Sequence, residues 1–196
     1  MKIVIGISGA SGSIYGVSLL KRLRGNHELH LIITEAARIV IKQETSYTID
    51  EIEAMADFVY KQTDIAAPIA SGSFLFDAMV VIPCSIKTLS LIANCYAENI
   101  LARAADVALK EKRKLVVCVR EMPLHEGHLN LMLSASKIGA IICPLSPSFY
   151  HQPKTIDDLV SQVTGKVADL INAENDGFKR WSGITQKPED IMNSGY

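Results

Sequence analysis

The sequence predicts an α/β domain built on a parallel sheet with helices covering both faces. Three observations carry that prediction. Short apolar runs alternate with longer amphipathic stretches along the chain, the order that strand–helix–strand units impose. The apolar runs, such as Ile3-Val4-Ile5 and Met79-Val80-Val81-Ile82, are mostly unbroken, as strands buried on both faces are. The first run breaks into a glycine-punctuated turn, Gly6-Ile7-Ser8-Gly9-Ala10-Ser11-Gly12-Ser13, directly ahead of a helical stretch.

The elements follow in order. Lys2–Ile7 is the first strand, and Ile14–Arg24 the helix behind the turn. Leu29–Thr34 is the second strand, followed by helices over Ala36–Glu44 and Asp50–Ala56. Ala78–Pro83 is the third strand and precedes helices over Ser85–Cys95 and Ile100–Lys112. Leu115–Arg120 leads to a helix over Leu129–Ile138, and Ala140–Cys143 is the last strand. A closing helix covers Ile156–Ala173, where Ile156, Leu159, Val160, Val163 and Val167 recur at helical spacing. After Gly183 the chain turns polar, with Gln186, Lys187, Pro188 and Glu189. The expected organisation is one domain over residues 1–184 and a polar tail over 185–196, loosely held or reaching a neighbouring subunit.

With 196 residues, 48% of them apolar, the chain can bury one sizeable core. A net charge of −1 gives no electrostatic case for nucleic acid or an anionic membrane surface. No apolar run is long enough to span a bilayer, and the start of the sequence has no signal-peptide pattern. Cys84, Cys95, Cys118 and Cys143 form no CxxC pair. They read as ordinary thiols of a reducing compartment, so a cytoplasmic location is expected.

In open parallel sheets, ligands bind beyond the carboxyl ends of the strands. The segments there carry the chemistry. Gly6, Gly9 and Gly12 give GxxGxxG spacing, unlike the fingerprints of dinucleotide or P-loop sites. Glycines let backbone amides approach an anion, and the following helix offers unpaired N–H groups. With hydroxyls on Ser8, Ser11 and Ser13 and no lysine, the turn suits a terminal monophosphate; a plain helix-capping turn is the alternative. Thr34 ends the second strand as a hydroxyl donor or a helix cap. Ser85, Ile86, Lys87 and Thr88 follow the third strand and suit a polar ligand edge, or a capping serine beside a solvated lysine. Arg120 and Glu121 end the fourth strand, and Tyr150-His151 follows the last. Arg103 and Lys110, seven apart on one helix, and Glu44 stand out as charges, with a solvated helix face as the alternative reading. His125 and His128 lack the HExxH arrangement of zinc hydrolases, no GxSxG elbow occurs, and Asp157-Asp158 is not a DDxxD magnesium motif.

These motifs, in this order, resemble the UbiX-type flavin prenyltransferases, also known as small subunits of phenylacrylic or hydroxybenzoate decarboxylase systems. The likeness runs from Lys2 to about Gly183 and includes Ala70-Ser71-Gly72-Ser73, Pro83-Cys84-Ser85-Ile86-Lys87-Thr88-Leu89, the Arg103–Glu111 stretch, Arg120-Glu121-Met122-Pro123-Leu124 and Phe149-Tyr150-His151. It implies a flavodoxin-like Rossmann three-layer sandwich, FMN as cofactor and a homo-dodecamer. It implies metal-independent transfer of the dimethylallyl group of dimethylallyl monophosphate to N5 and C6 of reduced FMN, the prenylated FMN then passing to a UbiD-type decarboxylase. By the same resemblance FMN contacts fall on Gly9, Ala10, Ser11, Thr34, Ser85, Ile86, Lys87, Thr88 and Arg120. The catalytic pair is Ser11 and Glu44. The prenyl-phosphate contacts are Lys110, Arg120, Glu121, Tyr150 and Lys166, with Ser71 and Arg103 lining the same site. Relatives commonly carry arginine at position 166; lysine keeps the charge and loses the bidentate fork. Two other readings stay open: an FMN-dependent decarboxylase acting directly on an aromatic or cysteinyl acid, and a non-catalytic flavin carrier.

Overall fold

The computed structural model of the protein describes residues 1–174 together with Phe178, Arg180 and Gly183. The expected tail over 185–196 lies outside the described residues.

Six parallel strands form one sheet in the order β3-β2-β1-β4-β5-β6. They are β1 (Lys2–Ile7), β2 (Glu28–Ile33), β3 (Phe58–Tyr60), β4 (Ala78–Cys84), β5 (Lys114–Val119) and β6 (Ile141–Ile142). The helices are α1 (Ser13–Leu23), α2 (Glu35–Glu44), α3 (Ile49–Glu53), α4 (Ile86–Ala93), α5 (Ile100–Lys110), α6 (Glu126–Lys137) and α7 (Ile156–Leu170). The architecture is the flavodoxin-like α/β sandwich.

Alternation along the strands builds the layers. On β1, Ile3, Ile5 and Ile7 face one side, where they pack with Val17 and Leu20 of α1, Ile41 of α2 and Val167 of α7. Val4 faces the other side, with Met79 and Val81 of β4, Leu89 of α4, Leu101 and Ala105 of α5 and Ala135 of α6. Ile5 is fully buried, so Ile5→Ala costs about 2–5 kcal/mol through lost transfer energy and the cavity left behind.

The order in which strands are added reverses at β1: β2 follows it on one side in register Ile5↔Leu31, and β4 lies on the other in register Ile5↔Val80. That crevice, at the carboxyl ends of β1 and β4, is where an open α/β sheet takes its ligand.

Five strands match the expected ones. The sixth, β3, is an edge strand of three residues paired through His30↔Phe58; so short a segment carries no periodicity to read. The helix expected over Asp50–Ala56 spans Ile49–Glu53, fixed by a capping box between Thr48 and Glu51. The one expected from Leu129 begins at Glu126, because the His125 side chain accepts from the Gly127 amide and caps it. No helix among the described residues is long and apolar enough to cross a membrane.

Candidate functional site

Ser8 ties the two sides of the crevice together. Its hydroxyl donates to the Pro83 carbonyl at 2.9 Å and accepts from the Ser85 amide at 2.8 Å. It is 1% exposed, so it is a strut and not the ligand donor expected of it. Ser13 is also buried, and its hydroxyl faces no polar partner. Of the three serines of the turn, Ser11 alone is exposed.

Gly9 and Gly12 are glycines for different reasons. A Cβ on Gly9 would stand 2.5 Å from the Ala36 Cβ, so α2 closes on the turn only over a bare backbone. Gly12 has φ +98°, a left-handed conformation that admits few other residues.

At the end of α1 the turn meets a carboxylate of the chain itself. The Gly12 and Ser13 amides donate to Glu44 Oε2 at 2.8 and 3.2 Å. The Ser11 hydroxyl acts on the same carboxylate and lowers its pKa. Burial raises the affinity of Glu44 for its proton, but these three donors and the charge of Arg120 outweigh it, and the carboxyl is held below its usual range. A helix N-terminus favours an anion, and here the protein supplies its own. The structure thus brings Ser11, Glu44 and Arg120 together. It adds Tyr15, whose phenol burial pushes up in pKa while Arg120 opposes the shift; no motif signalled it.

A separate space lies beside the turn, between α2 and α4. A cavity of about 390 Å³ is lined by Gly9, Thr34, Glu35, Ala36, Gln62, Ser85, Lys87, Thr88, Leu91 and Asn99. Five of these are sequence-predicted contacts. Three helices, α2, α4 and α5, begin at it. Thr34 caps α2 by accepting from the Ala37 amide at 3.1 Å, and Ser85 caps α4 by accepting from the Thr88 amide at 3.3 Å. Ser85 Oγ also donates to Thr88 Oγ1 at 3.1 Å. Three dipole ends, three hydroxyls and Lys87 thus converge on one space, a donor set that fits a phosphate and its polyol neighbour. Ile86 opens α4 half-buried, and Ala10 is buried under the turn. Gln62 and Asn99 belong to no motif; Asn99 caps α5 by accepting from the Ala102 amide. Larger cavities of about 890 and 750 Å³ lie at the amino ends of the strands, lined by residues such as Arg22 and Asp169 or Glu28 and Asp77. They have no helix N-terminus and lie opposite the ligand end of the sheet.

Beyond Arg120, whose amide donates to the Cys84 carbonyl at 3.1 Å, the chain presents three more predicted residues. Glu121 is exposed and accepts from the Met122 amide at 3.0 Å. Gln162 of α7 donates to Tyr150 Oη at 2.7 Å. Lys166 is exposed on α7, close enough to Cys143 for its charge to act on the thiol.

Within one chain, Ser71, Arg103 and Lys110 lie apart from this group. The 70–76 loop enters β4 at its amino end, and Ser71 there bonds Ser73 at 2.8 Å. Arg103 Nε donates to the Ala70 carbonyl at 3.0 Å and its Nη1 to Asp106 at 2.8 Å. Lys110 pairs with Glu111 at the end of α5, four residues before β5 begins. Asn99 touches the cavity, so Lys110 sits about 15 Å further on at 1.5 Å per helical residue. The helix runs antiparallel to the strands and carries its last residue to the wrong end of the sheet.

Among the described residues, no three His, Cys, Asp or Glu side chains gather as a metal site requires.

The flavoprotein family pattern matches residues 1–168. Flavin prenyltransferase UbiX of Escherichia coli K12 is 50% identical over 186 residues, covering 93% of this chain and 98% of the relative. The structure of a dodecameric FMN-dependent UbiX-like decarboxylase from Escherichia coli O157:H7 superposes with a TM-score of 0.91 at 46% identity, covering 93% of this chain and all of the other. That of AnUbiX (PadA1), in complex with FMN and dimethylallyl pyrophosphate, superposes with a TM-score of 0.92 at 42% identity, over 93% and 98% of the two chains.

Proposed function

This chain belongs to the flavoprotein family, among its UbiX flavin prenyltransferases, and on that footing we propose that it joins the dimethylallyl group of dimethylallyl monophosphate to N5 and C6 of reduced FMN. The observation that carries the reading is the cavity where the capped ends of α2 and α4 meet the hydroxyls of Thr34, Ser85 and Thr88 beside Lys87. These residues, with Gly9, would hold the FMN phosphate and ribityl chain. Ala10, Ser11, Ile86 and Arg120 would border its ring. When bound and reduced, FMN supplies the electron-rich ring positions that accept the prenyl group.

The remaining residues divide the work by chemistry. Lys166, Arg120 and the Tyr150 hydroxyl, backed by Gln162, would meet the negative charge that grows on the departing phosphate. Glu121 borders the same space. The Ser11 hydroxyl is close enough to lower the Glu44 pKa, so the pair could pass a proton to or from the reacting ring edge. Glu44 is ionised above the acidic range, which makes it the acceptor at neutral pH.

A homo-dodecameric assembly fits the relative named as dodecameric. It also gives Ser71, Arg103 and Lys110 a place: at the amino end of their own sheet, they would serve the site of a neighbouring subunit. The product would pass to a UbiD-type decarboxylase, in the cytoplasm, and the working unit is the single domain over residues 1–184.

The test is direct. The protein is incubated anaerobically with reduced FMN and dimethylallyl monophosphate, and the flavin is weighed by mass spectrometry. A gain of one five-carbon prenyl unit is expected; an unmodified flavin rejects the reading. Release of carbon dioxide from an aromatic acid, with no partner protein present, would instead support direct decarboxylation.

A further inference from the structure

Cys118 and Cys143 are neighbours across β5 and β6. The pairing Val116↔Ile141 and Val117↔Ile142 continues into them, and the Cys143 amide donates to the Val117 carbonyl at 2.9 Å. Both thiols belong to the same face of the sheet, packed with the α1 side of the core. Adjacent strands lie about 4.8 Å apart, inside the roughly 4.4–6.8 Å of Cα separation that a disulfide spans. Cys118 is buried and Cys143 half-buried, so one sulfur is shielded and the other can be reached.

The charges around them differ. The Cys118 thiol, as hydrogen-bond donor, favours the Cys143 thiolate; burial opposes it and the Lys166 ammonium favours it, leaving Cys143 at about 7. Burial and the neighbouring Cys143 and Cys84 push Cys118 well up. A reachable thiolate beside a shielded thiol is the arrangement of a peroxide-sensitive pair.

We infer that Cys118 and Cys143 are a reversible redox pair at the foot of Lys166, oxidised by hydrogen peroxide to a disulfide. The Cys143 thiolate attacks one peroxide oxygen, the O–O bond breaks, and the released hydroxide takes a proton to become water. The sulfur is oxidised to a sulfenic acid and the peroxide is reduced. The Cys118 sulfur then attacks the Cys143 sulfur; the S–S bond forms, the S–O bond breaks, and hydroxide leaves with the Cys118 proton as a second water. A reduced flavin that meets dioxygen releases this oxidant, so the source of peroxide rests on the function proposed above, while the thiol chemistry stands without it.

The experiment uses the FMN-loaded protein and added hydrogen peroxide, with peptide mapping by mass spectrometry. A Cys118–Cys143 disulfide is expected, with Cys84 and Cys95 left as thiols and full reversal by dithiothreitol. In Cys118→Ala, which keeps the site apolar, Cys143 should stop at a sulfenic acid that dimedone traps. Alkylation of Cys143 in untreated protein should be half-maximal near pH 7, and Lys166→Met should move that midpoint upward. Sulfinic acid building up on Cys143 with no cross-link in the unmodified sequence, or no reaction at either cysteine, overturns the inference.

Discussion

The Gly12 amide donates to Glu44 Oε2 at 2.8 Å, from a residue 32 positions along the chain. The helix end prepared by the glycine turn is therefore closed by an internal carboxylate, which also takes the Ser11 hydroxyl. On the proposed reading, this contact leaves anion binding to α2 and α4 and proton handling to Ser11 and Glu44.

Glu44→Gln keeps an oxygen for the Gly12 and Ser13 amides but removes the charge. FMN affinity should stay within about twofold, while prenyl transfer falls by roughly 10²-fold or more, the usual weight of a positioned acid–base group. Ser11→Ala should follow the same split, slowing transfer more than it weakens FMN binding. Fluorescence titration and single-turnover flavin mass analysis check both; equal losses in binding and transfer would return Ser11 to a structural part of the turn.

Glu44 also leaves a signature in acid. Its folded pKa lies below the unfolded one, so its contribution is fully present above the ordinary carboxylate value of about 4.3 and is lost as pH falls through the folded value. A partly exposed carboxylate at a helix N-terminus contributes about 0.5 kcal/mol. For a chain of this size that is about 1–2 °C in Tm. The Tm gap between the native sequence and Glu44→Gln should be open at pH 7 and close toward pH 3. A pH-independent gap in calorimetry would contradict the assignment.

Ser85→Gly removes a hydroxyl from the cavity while costing the α4 cap only a few tenths of a kcal/mol. On the proposed reading the Ser85 proton turns from Thr88 Oγ1 to the phosphate, and loss of one hydroxyl donor to a charged group is worth about 1.5–3 kcal/mol. FMN should then bind roughly 10- to 100-fold more weakly, with Tm nearly unchanged in the absence of flavin.

If the Lys166 charge meets the donor phosphate, Lys166→Met should raise the KM for dimethylallyl monophosphate at least about tenfold, with FMN affinity untouched. Lys166→Arg should restore binding through its fork. Steady-state kinetics with flavin saturating distinguishes this from a general loss of fold.

If Lys110 completes a neighbour's site, mixed assemblies should show it. Lys110→Met and Glu44→Gln, each inactive alone, should regain activity when dissociated together and reassembled. Some sites then combine an intact Glu44 with an intact Lys110 from the next subunit. No regain in verified mixed oligomers would return Lys110 to the solvated helix face.

The sequence alone determined the layered α/β fold. Apolar runs such as Ile3–Ile5 and helical spacing such as Val160, Val163 and Val167 are set by neighbours in the chain, so local periodicity reports them. It also determined the donor cluster of Thr34, Ser85, Lys87 and Thr88, because in a parallel sheet every strand ends on the same side. It missed β3, whose three residues are held by pairing with β2 alone. Tertiary structure alone decided which groups satisfy one another. Ser8 became a strut because β1 and β4 lie side by side, and Glu44 filled α1 because α2 returns its last turn to Gly12. Lys110 fell at the far end because α5 runs against the strands. Hydrogen bonds and charges act over a few ångströms in space, and sequence separation says nothing of those distances until the chain is folded.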